Sequence, residues 1–461
     1  MITENVVTVP GGLISPDDFS LISIEIISAS GNIDIRGLMV ELSYYEDIFR
    51  GSMSGEILLS DSISLIDTMG LNGSEFLRFS FKKTNQSSTT INKYFRIYRV
   101  SERIIKSNNS ELYKLHFCSE ELFLSEQIKI SKSYSAKTIT DIVYNILTEE
   151  LKIPKDKLYV YNTKGMYDFI IPYKKPFEAI NWLSNYARPI FGEGADFVFF
   201  ENVDGFNFVS LQELFKQEAY AKYIYSIRNY VPSDSYKELG ISLVGIKSYN
   251  ILDTFDTLYG TSMGAFANRV LTIDPLTRTY RDTKFDYEKY IKRAETLNKG
   301  SIISNQRNRL GKTFNENYDA VFKVLTSNSD QKKAVGISDN PQSVGNDIYA
   351  ETYVPNRTAQ LALAHYSRIK LAVSGDPNIT VGTVVDLVLP SMRSKDSSGN
   401  NDGTPDDYHS GKYLITSVRH LIDVNFKYET VIEAVKDSFG AKIPSFNNNG
   451  QNINNTVKNA K

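Results

Sequence analysis

Tyr94-Phe-Arg-Ile-Tyr-Arg-Val100 and Leu112-Tyr-Lys-Leu-His-Phe117 alternate between apolar and polar or charged side chains, the pattern of a strand with one face in a core and the other in water. The pattern extends toward the N-terminus through Phe76-Leu-Arg-Phe-Ser-Phe81, Met53-Ser-Gly-Glu-Ile-Leu-Leu59, Ile35-Arg-Gly-Leu-Met-Val-Glu-Leu42 and Ser20-Leu-Ile-Ser-Ile-Glu-Ile-Ile27. Gly31-Asn32, Asn72-Gly73 and Asn108-Asn109 supply turns between the runs. Short strands at this spacing predict an antiparallel barrel or sandwich over residues 20–115.

Downstream the period changes. Ile139, Ile142, Val143, Ile146, Leu147 and Leu151 share one helical face, and Thr138 with Asp141 has the spacing of a capping box. A second helix opens at Pro176, carries Phe177, Ile180, Leu183 and Ala187 on one stripe, and is expected to stop at Pro189. With strand-like runs at 167–171, 196–200 and 206–209, this predicts an α+β insertion. Strand character returns at 242–249 and 268–273. A helix over 358–367 then leads to runs at 369–373, 384–389, 413–420 and 428–435. Residues 274–357 are polar and weakly patterned, and are expected to be irregular with short elements. Residues 444–461 form an Asn-rich tail that cannot bury a core. Arg50–Ser60 faintly echoes Val381–Ser391, as two related β domains at opposite ends of the chain would.

A chain of 461 residues has room for about two to four domains. Lysine plus arginine number 52 against 54 acids, a net charge of −2 that leaves no basic stripe for nucleic acid. The single cysteine excludes an intramolecular disulfide, and four histidines leave little material for a metal centre. The N-terminus lacks the basic and apolar regions of a secretory signal, so synthesis and assembly in the cytoplasm are expected. No run of about 20 apolar residues predicts a membrane span. The 29 tyrosines and 25 phenylalanines favour half-buried strands.

The chemistry-bearing combinations have plain structural readings. His116 and Cys118 fall on one strand face, where parallel side chains seldom make the hydrogen bond of a nucleophile and its base. The acidic run Asp396–Asp407 fails as a calcium loop, because His409 stands where a bidentate glutamate is needed, and it reads as a solvated hairpin tip. Glu120-Glu121 and Asp17-Asp18 could be imagined as a glycosidase pair, but 54 acids make neighbours commonplace. Gly260-Thr-Ser-Met-Gly264 lacks both the lysine and the spacing of a phosphate loop. No catalytic, cofactor-binding or metal residue is therefore assigned.

Three stretches resemble the central baseplate hub protein of contractile-tailed bacteriophages, a family related in fold to the hub portion of type VI secretion spike proteins. They are Ile35–Leu42 with Ile48–Asp61 and Gly73–Phe81; Leu115–Glu121 with Ile130–Val143, Pro176–Leu183 and Ala187–Pro189; and Ile369–Pro390 with Gly411–His420 and Tyr428–Val431. The resemblance implies a β-rich α+β chain with two similar antiparallel β-barrel domains of the tube type, an α+β insertion and a peripheral irregular or helical region. The expected layout is a first barrel at 1–115, completed by 222–240, and an inserted domain at 116–221. A second barrel follows at 241–300 and 358–436, with an irregular insertion at 301–357 and a flexible tail at 437–461. The family further implies a homotrimer in the virion baseplate, joining the hexameric tail tube protein to the trimeric central spike protein, with other baseplate proteins as further partners. It implies a channel for genome passage and no enzyme activity, cofactor, specific nucleic-acid binding or membrane insertion. Two other classes compete with this reading: a tail-associated cell-wall hydrolase, and a receptor- or carbohydrate-binding β protein.

Overall fold

The computed structural model describes residues 19–83, 90–107, 110–192, 195–225, 243–275, 278–298, 300–304, 306–326, 350–364, 366–391, 405–424 and 427–440. The first part of the chain supplies strands β1 (Phe19–Ser28), β2 (Gly31–Asp34), β3 (Met39–Asp47), β4 (Ser54–Asp61), β5 (Phe76–Lys83), β6 (Ile91–Ser107) and β7 (Ser110–Cys118), with the short helix α1 (Leu65–Met69) between β4 and β5. The alternation does what it predicts. Along β4, Gly55, Ile57, Leu59 and Asp61 are buried while Ser54, Glu56, Leu58 and Ser60 face outward. These strands pair in the order β3-β4-β7-β6-β5-β1, with β2 added as a hairpin on β1. They enclose a core rich in rings, including Phe79, Phe81, Phe95, Phe117 and Tyr113.

The inserted segment holds α2 (Glu120–Gln127), β8 (Ile130–Lys137), α3 (Ile139–Asn145), β9 (Leu158–Val160), β10 (Tyr167–Lys174), α4 (Pro176–Ser184), β11 (Phe197–Glu201), β12 (Phe206–Ser210) and α5 (Leu211–Phe215). The capping box forms: the Asp141 N–H donates to Thr138 Oγ1 at 3.0 Å, and the Thr138 N–H to Asp141 Oδ2 at 3.3 Å. The predicted apolar face is buried through Leu151, although the α-helix ends at Asn145 and a π turn carries 146–150. Helix α4 starts at Pro176 as expected but ends at Ser184, five positions short of Pro189, so Ala187 is buried from a loop.

The remaining elements are β13 (Lys222–Ile224), β14 (Leu243–Asp253), α6 (Thr257–Met263), β15 (Ala267–Asp274), β16 (Thr279–Asp286), α7 (Tyr287–Ile291), β17 (Phe322–Thr326), α8 (Ala350–Leu363), β18 (Ser367–Ser374), β19 (Val384–Val388), β20 (Gly411–Asp423) and β21 (Tyr428–Lys436). Six of them form a second ring, β13-β14-β18-β21-β20-β19, which the β19–β20 pairing closes. Taken in chain order, the two rings have the same neighbours. Strand two pairs with three, three with six, six with five, five with four, and four with one, in both. They differ at the first strand: β13 pairs parallel with both β19 and β14 and so closes its ring, whereas β1 pairs antiparallel with β5 and, among the described residues, has no ladder to β3, so the first set encloses its core without closing by strand pairing. Two similar β-barrels in one β-rich chain are thus observed.

Several expectations need correction. Lys222–Ile224, expected to help complete the first barrel, belongs to the second, because Tyr223 is fully buried in that core. The rest of that stretch, 226–240, lies outside the described residues. Strands β15 and β16, expected in the second barrel, instead pair with β17 in a separate three-stranded sheet. That sheet adjoins its own small core, formed by Phe266, Phe285, Tyr287 and Tyr290 beneath α8. Helix α8 runs through Pro355 rather than starting after it, held by buried Tyr353, Ala359, Ala362 and Leu363. The 301–357 stretch thereby contributes a strand and part of a helix. The echo also falls at unequal places, since β4 is the third strand of its ring and β19 the fourth. The first residues of the stretch expected as a flexible tail, 437–440, are instead packed: Phe439 is buried in the small core beneath α8, and Asp437 and Ser438 accept from the Leu297 and Asn298 N–H groups; residues 441–461 lie outside the described residues.

Candidate functional surface

The two rings share one hydrogen-bonded sheet because β20 is long enough to serve both. Its early residues Leu414, Ile415 and Val418 lie in the second core, and Ile422 and the following Tyr428 in the first. Along its outer part β20 pairs antiparallel with β3, from Ser417 opposite Asp47 to Asp423 opposite Glu41. At the joint the Tyr44 ring stacks on His420 with centroids 4.5 Å apart. His420 is fully buried, and burial pushes its pKa down to about 3, so the ring is neutral. Since Ile379 O can only accept, His420 Nε2–H donates to it at 3.1 Å, and Nδ1 accepts from the Tyr428 hydroxyl at 2.7 Å.

Two buried carboxyls pin the assembly. Glu46 of β3 reaches into the second barrel, where Oε2 accepts from the Val381 N–H at 3.1 Å. Burial raises its pKa to about 8, so at neutral pH it is largely the uncharged acid. Glu201 of the inserted domain accepts from the Met53 N–H at 2.9 Å and from the Ser119 hydroxyl, joining that domain to β4 and β7. Burial and then the Glu121 charge push Glu201 up to about 7. Glu46 follows Leu42 and Tyr44 at alternate positions on β3, so its inward direction was legible in the sequence.

The outer face of the shared sheet carries in-register polar rows. One runs Lys370, Glu433, Ser417, Asp47 and another Val431, Arg419, Tyr45, Ser54. A groove of about 630 Å³ lies over them. Its cations are matched by acids: Arg419 meets Glu41 at 2.8 Å and Lys370 meets Glu433 at 3.9 Å. Arg419 also donates to Ser43 Oγ and lies over the Tyr45 ring. The face is polar and close to electrically balanced.

The residues singled out in the sequence are not brought together. The His116 ring lies 2.6 Å from Ser101 Oγ and 3.9 Å from Glu56, on the outer face. Cys118 is buried, and desolvation pushes its thiol up to about 11, the opposite of an activated nucleophile. Glu121 sits in the first turn of α2 near Glu201, with its pKa raised mainly by burial. Asp17, Asp18 and the acidic run up to position 404 lie outside the described residues. Asp406, at the end of that run, caps a turn by accepting from the Tyr408 and His409 N–H groups. Gly260 packs so tightly on Phe266 that a Cβ would lie 2.8 Å from the ring, and Gly264 ends α6 at φ +77°. Those glycines serve packing and capping. Among the described residues no group of three His, Cys, Asp or Glu could hold a metal ion, and no helix is long and apolar enough to cross a membrane.

No family model matches the chain. The fold is shared with the solved tail protein from Neisseria meningitidis MC58, at TM-score 0.52 and 11% identity over 92% of this chain and 100% of that one. A likeness at TM-score 0.43 and 10% identity extends over 86% of this chain and 73% of the E. coli c3393 protein, described as a type VI secretion component similar to the T4 tail proteins gp27 and gp5. The class of the fold is that of tail proteins. More particularly, the chain is 22% identical over 422 residues to the "Probable baseplate hub protein gp334" of Vibrio phage KVP40, covering 88% of this chain and 93% of that protein. The resemblance to baseplate hub proteins read from the sequence is borne out.

Proposed function

We propose that this protein is the structural hub of a contractile-tail baseplate, acting as a homotrimeric adaptor between a hexameric tail tube and a trimeric spike. The observation that carries the proposal is the pair of barrels with equivalent strand neighbours in one chain. A ring of three chains has threefold symmetry, whereas a hexameric tube presents six equivalent edges, so a direct joint leaves half of the contacts mismatched. Three chains with two barrels each offer six near-equivalent surfaces. Similarity to a baseplate hub protein over nearly the whole chain supports the same reading.

In this arrangement the balanced outer face of the shared sheet is suited to the channel. Matched ion pairs leave few free cations to hold phosphate, and each neutralised phosphate would add salt-dependent affinity and slow a passing genome. The protein acts as a scaffold without catalytic turnover, in the virion tail, after assembly in the host cytoplasm. Light scattering on the purified full chain tests the assembly. Three copies of 52.1 kDa give a particle of about 156 kDa, and a stable monomer at micromolar concentration would contradict the proposal.

A further inference from the structure

A cleft of about 640 Å³ opens between the inserted domain and the three-stranded sheet, away from the shared barrel face. Lys164 and Arg188 stand on the inserted-domain wall; Lys284, Lys289 and Arg293 stand on the other. Asp286 is the one carboxylate among the described lining residues, which makes the cleft strongly positive in a chain of net charge −2. That acid is already engaged. Its Oδ1 accepts from the Glu288 N–H at 3.0 Å and from Asn315 Nδ2 at 3.2 Å, and Lys289 lies 3.7 Å from Oδ2.

The walls are held rigidly. At the floor the Tyr290 hydroxyl accepts from Gln212 Nε2 at 2.5 Å and from Gln360 Nε2 at 2.8 Å, tying α5, α7 and α8 together. Gln360 Oε1 accepts from the Ala195 N–H, and Arg357 donates to Ala195 O at 2.7 Å. The two walls that carry the cations are therefore linked to each other before any ligand arrives, which lowers the entropy lost on binding.

We propose that this cleft receives a carboxylate-rich peptide segment of a partner protein. The cleft is too small to admit a nucleic-acid duplex, and single strands need exposed aromatic faces on which to stack. Here Tyr290, Phe285 and Tyr353 are buried, Lys284 lies 5.3 Å over the Tyr318 ring, and Arg188 lies 5.6 Å over Tyr353. Five cations in a cleft whose lining rings are buried or already covered by a cation suit carboxylates spaced along a chain.

Fluorescence anisotropy of a labelled hexaglutamate peptide on the full-length protein tests this. The peptide binds at about 0.05 M salt and is released at about 0.3 M, while hexaglutamine does not bind. The double substitution Lys284→Glu with Arg293→Glu, at exposed positions, weakens binding about tenfold or more, because attraction becomes repulsion at two points. Lys164→Glu on the opposite wall weakens it severalfold and provides an independent check should the double variant lose its far-UV circular dichroism. Absence of hexaglutamate binding, affinity unchanged in the variants, or tighter binding of oligothymidylate or inorganic phosphate than of the peptide would overturn the proposal.

Discussion

Replacing Glu46 by glutamine probes the joint between the barrels. In the folded chain the carboxyl is buried, with Oε2 held by the Val381 N–H and Oε1 without a hydrogen-bond partner, and its pKa stands at about 8 against an ordinary 4.5. For an acid raised on folding, the stability contribution is complete below the unfolded pKa. It falls as pH rises through the window between the two values and is flat above the folded one. At about 1.4 kcal/mol per pH unit, the loss between pH 5 and pH 9 is roughly 4 kcal/mol for this group. Glutamine keeps a carbonyl for Val381 and cannot ionise. Urea unfolding of both proteins at pH 5, 7 and 9 should therefore show Glu46→Gln close to the parent at pH 5 and more stable by several kcal/mol at pH 9. Other titrating groups cancel in the difference. Curves that stay parallel across this range would refute the assignment of Glu46 as a buried neutral acid.

Gly375→Ala should destabilise by about 1–3 kcal/mol or more, since the new Cβ would sit 2.1 Å from Tyr428 Cγ, whereas Gly245→Ala, with nothing within 4 Å, should stay within about 0.5 kcal/mol; paired thermal melts decide. Cys118, the only thiol, should resist alkylation at pH 8 in the native protein and react fully after unfolding, as counted by intact mass. Nitrogen-15 NMR should find His420 as the neutral Nε2–H tautomer with no titration above about pH 4; a protonated ring at pH 6 would contradict the hydrogen-bond assignment.

Much of the strand framework was legible because burial on one face imposes period two on the sequence. Residues 54–59, 76–81 and 112–117 all fall within observed strands. The misreading at Ile35–Leu42 has a local cause. Ile35 is buried, but Arg36-Gly37-Leu38 turns the chain, and the strand begins at Met39. What alternation cannot carry is partner choice. It gives Ile422 and Tyr428 an inward face without saying that they enter the first barrel rather than the second, a matter settled by the β20–β3 register. It likewise cannot assign Tyr223, in a three-residue strand, to a ring closed by parallel pairing. Around 274–357 the polar sequence concealed β16 and β17, whose exposed residues face outward from a sheet with few apolar positions of its own. The placement of His116 and Cys118 on one strand was readable from the sequence, but not that His116 would turn to Ser101 on the outer face while Cys118 is buried. The basic cleft was not, because its cations come from positions as distant as Lys164 and Arg293.

The central claim is that two equivalent barrels per chain convert threefold into near-sixfold symmetry, and an electron-microscopy reconstruction of the purified particle viewed down its axis tests it most directly. The account predicts six barrel densities around an open channel, successive ones related by about 60°, alternating between the ring of β1–β7 and the ring of β13, β14 and β18–β21. A particle in which only one of the two barrels from each chain lines the channel, with the other displaced from the ring, would contradict it.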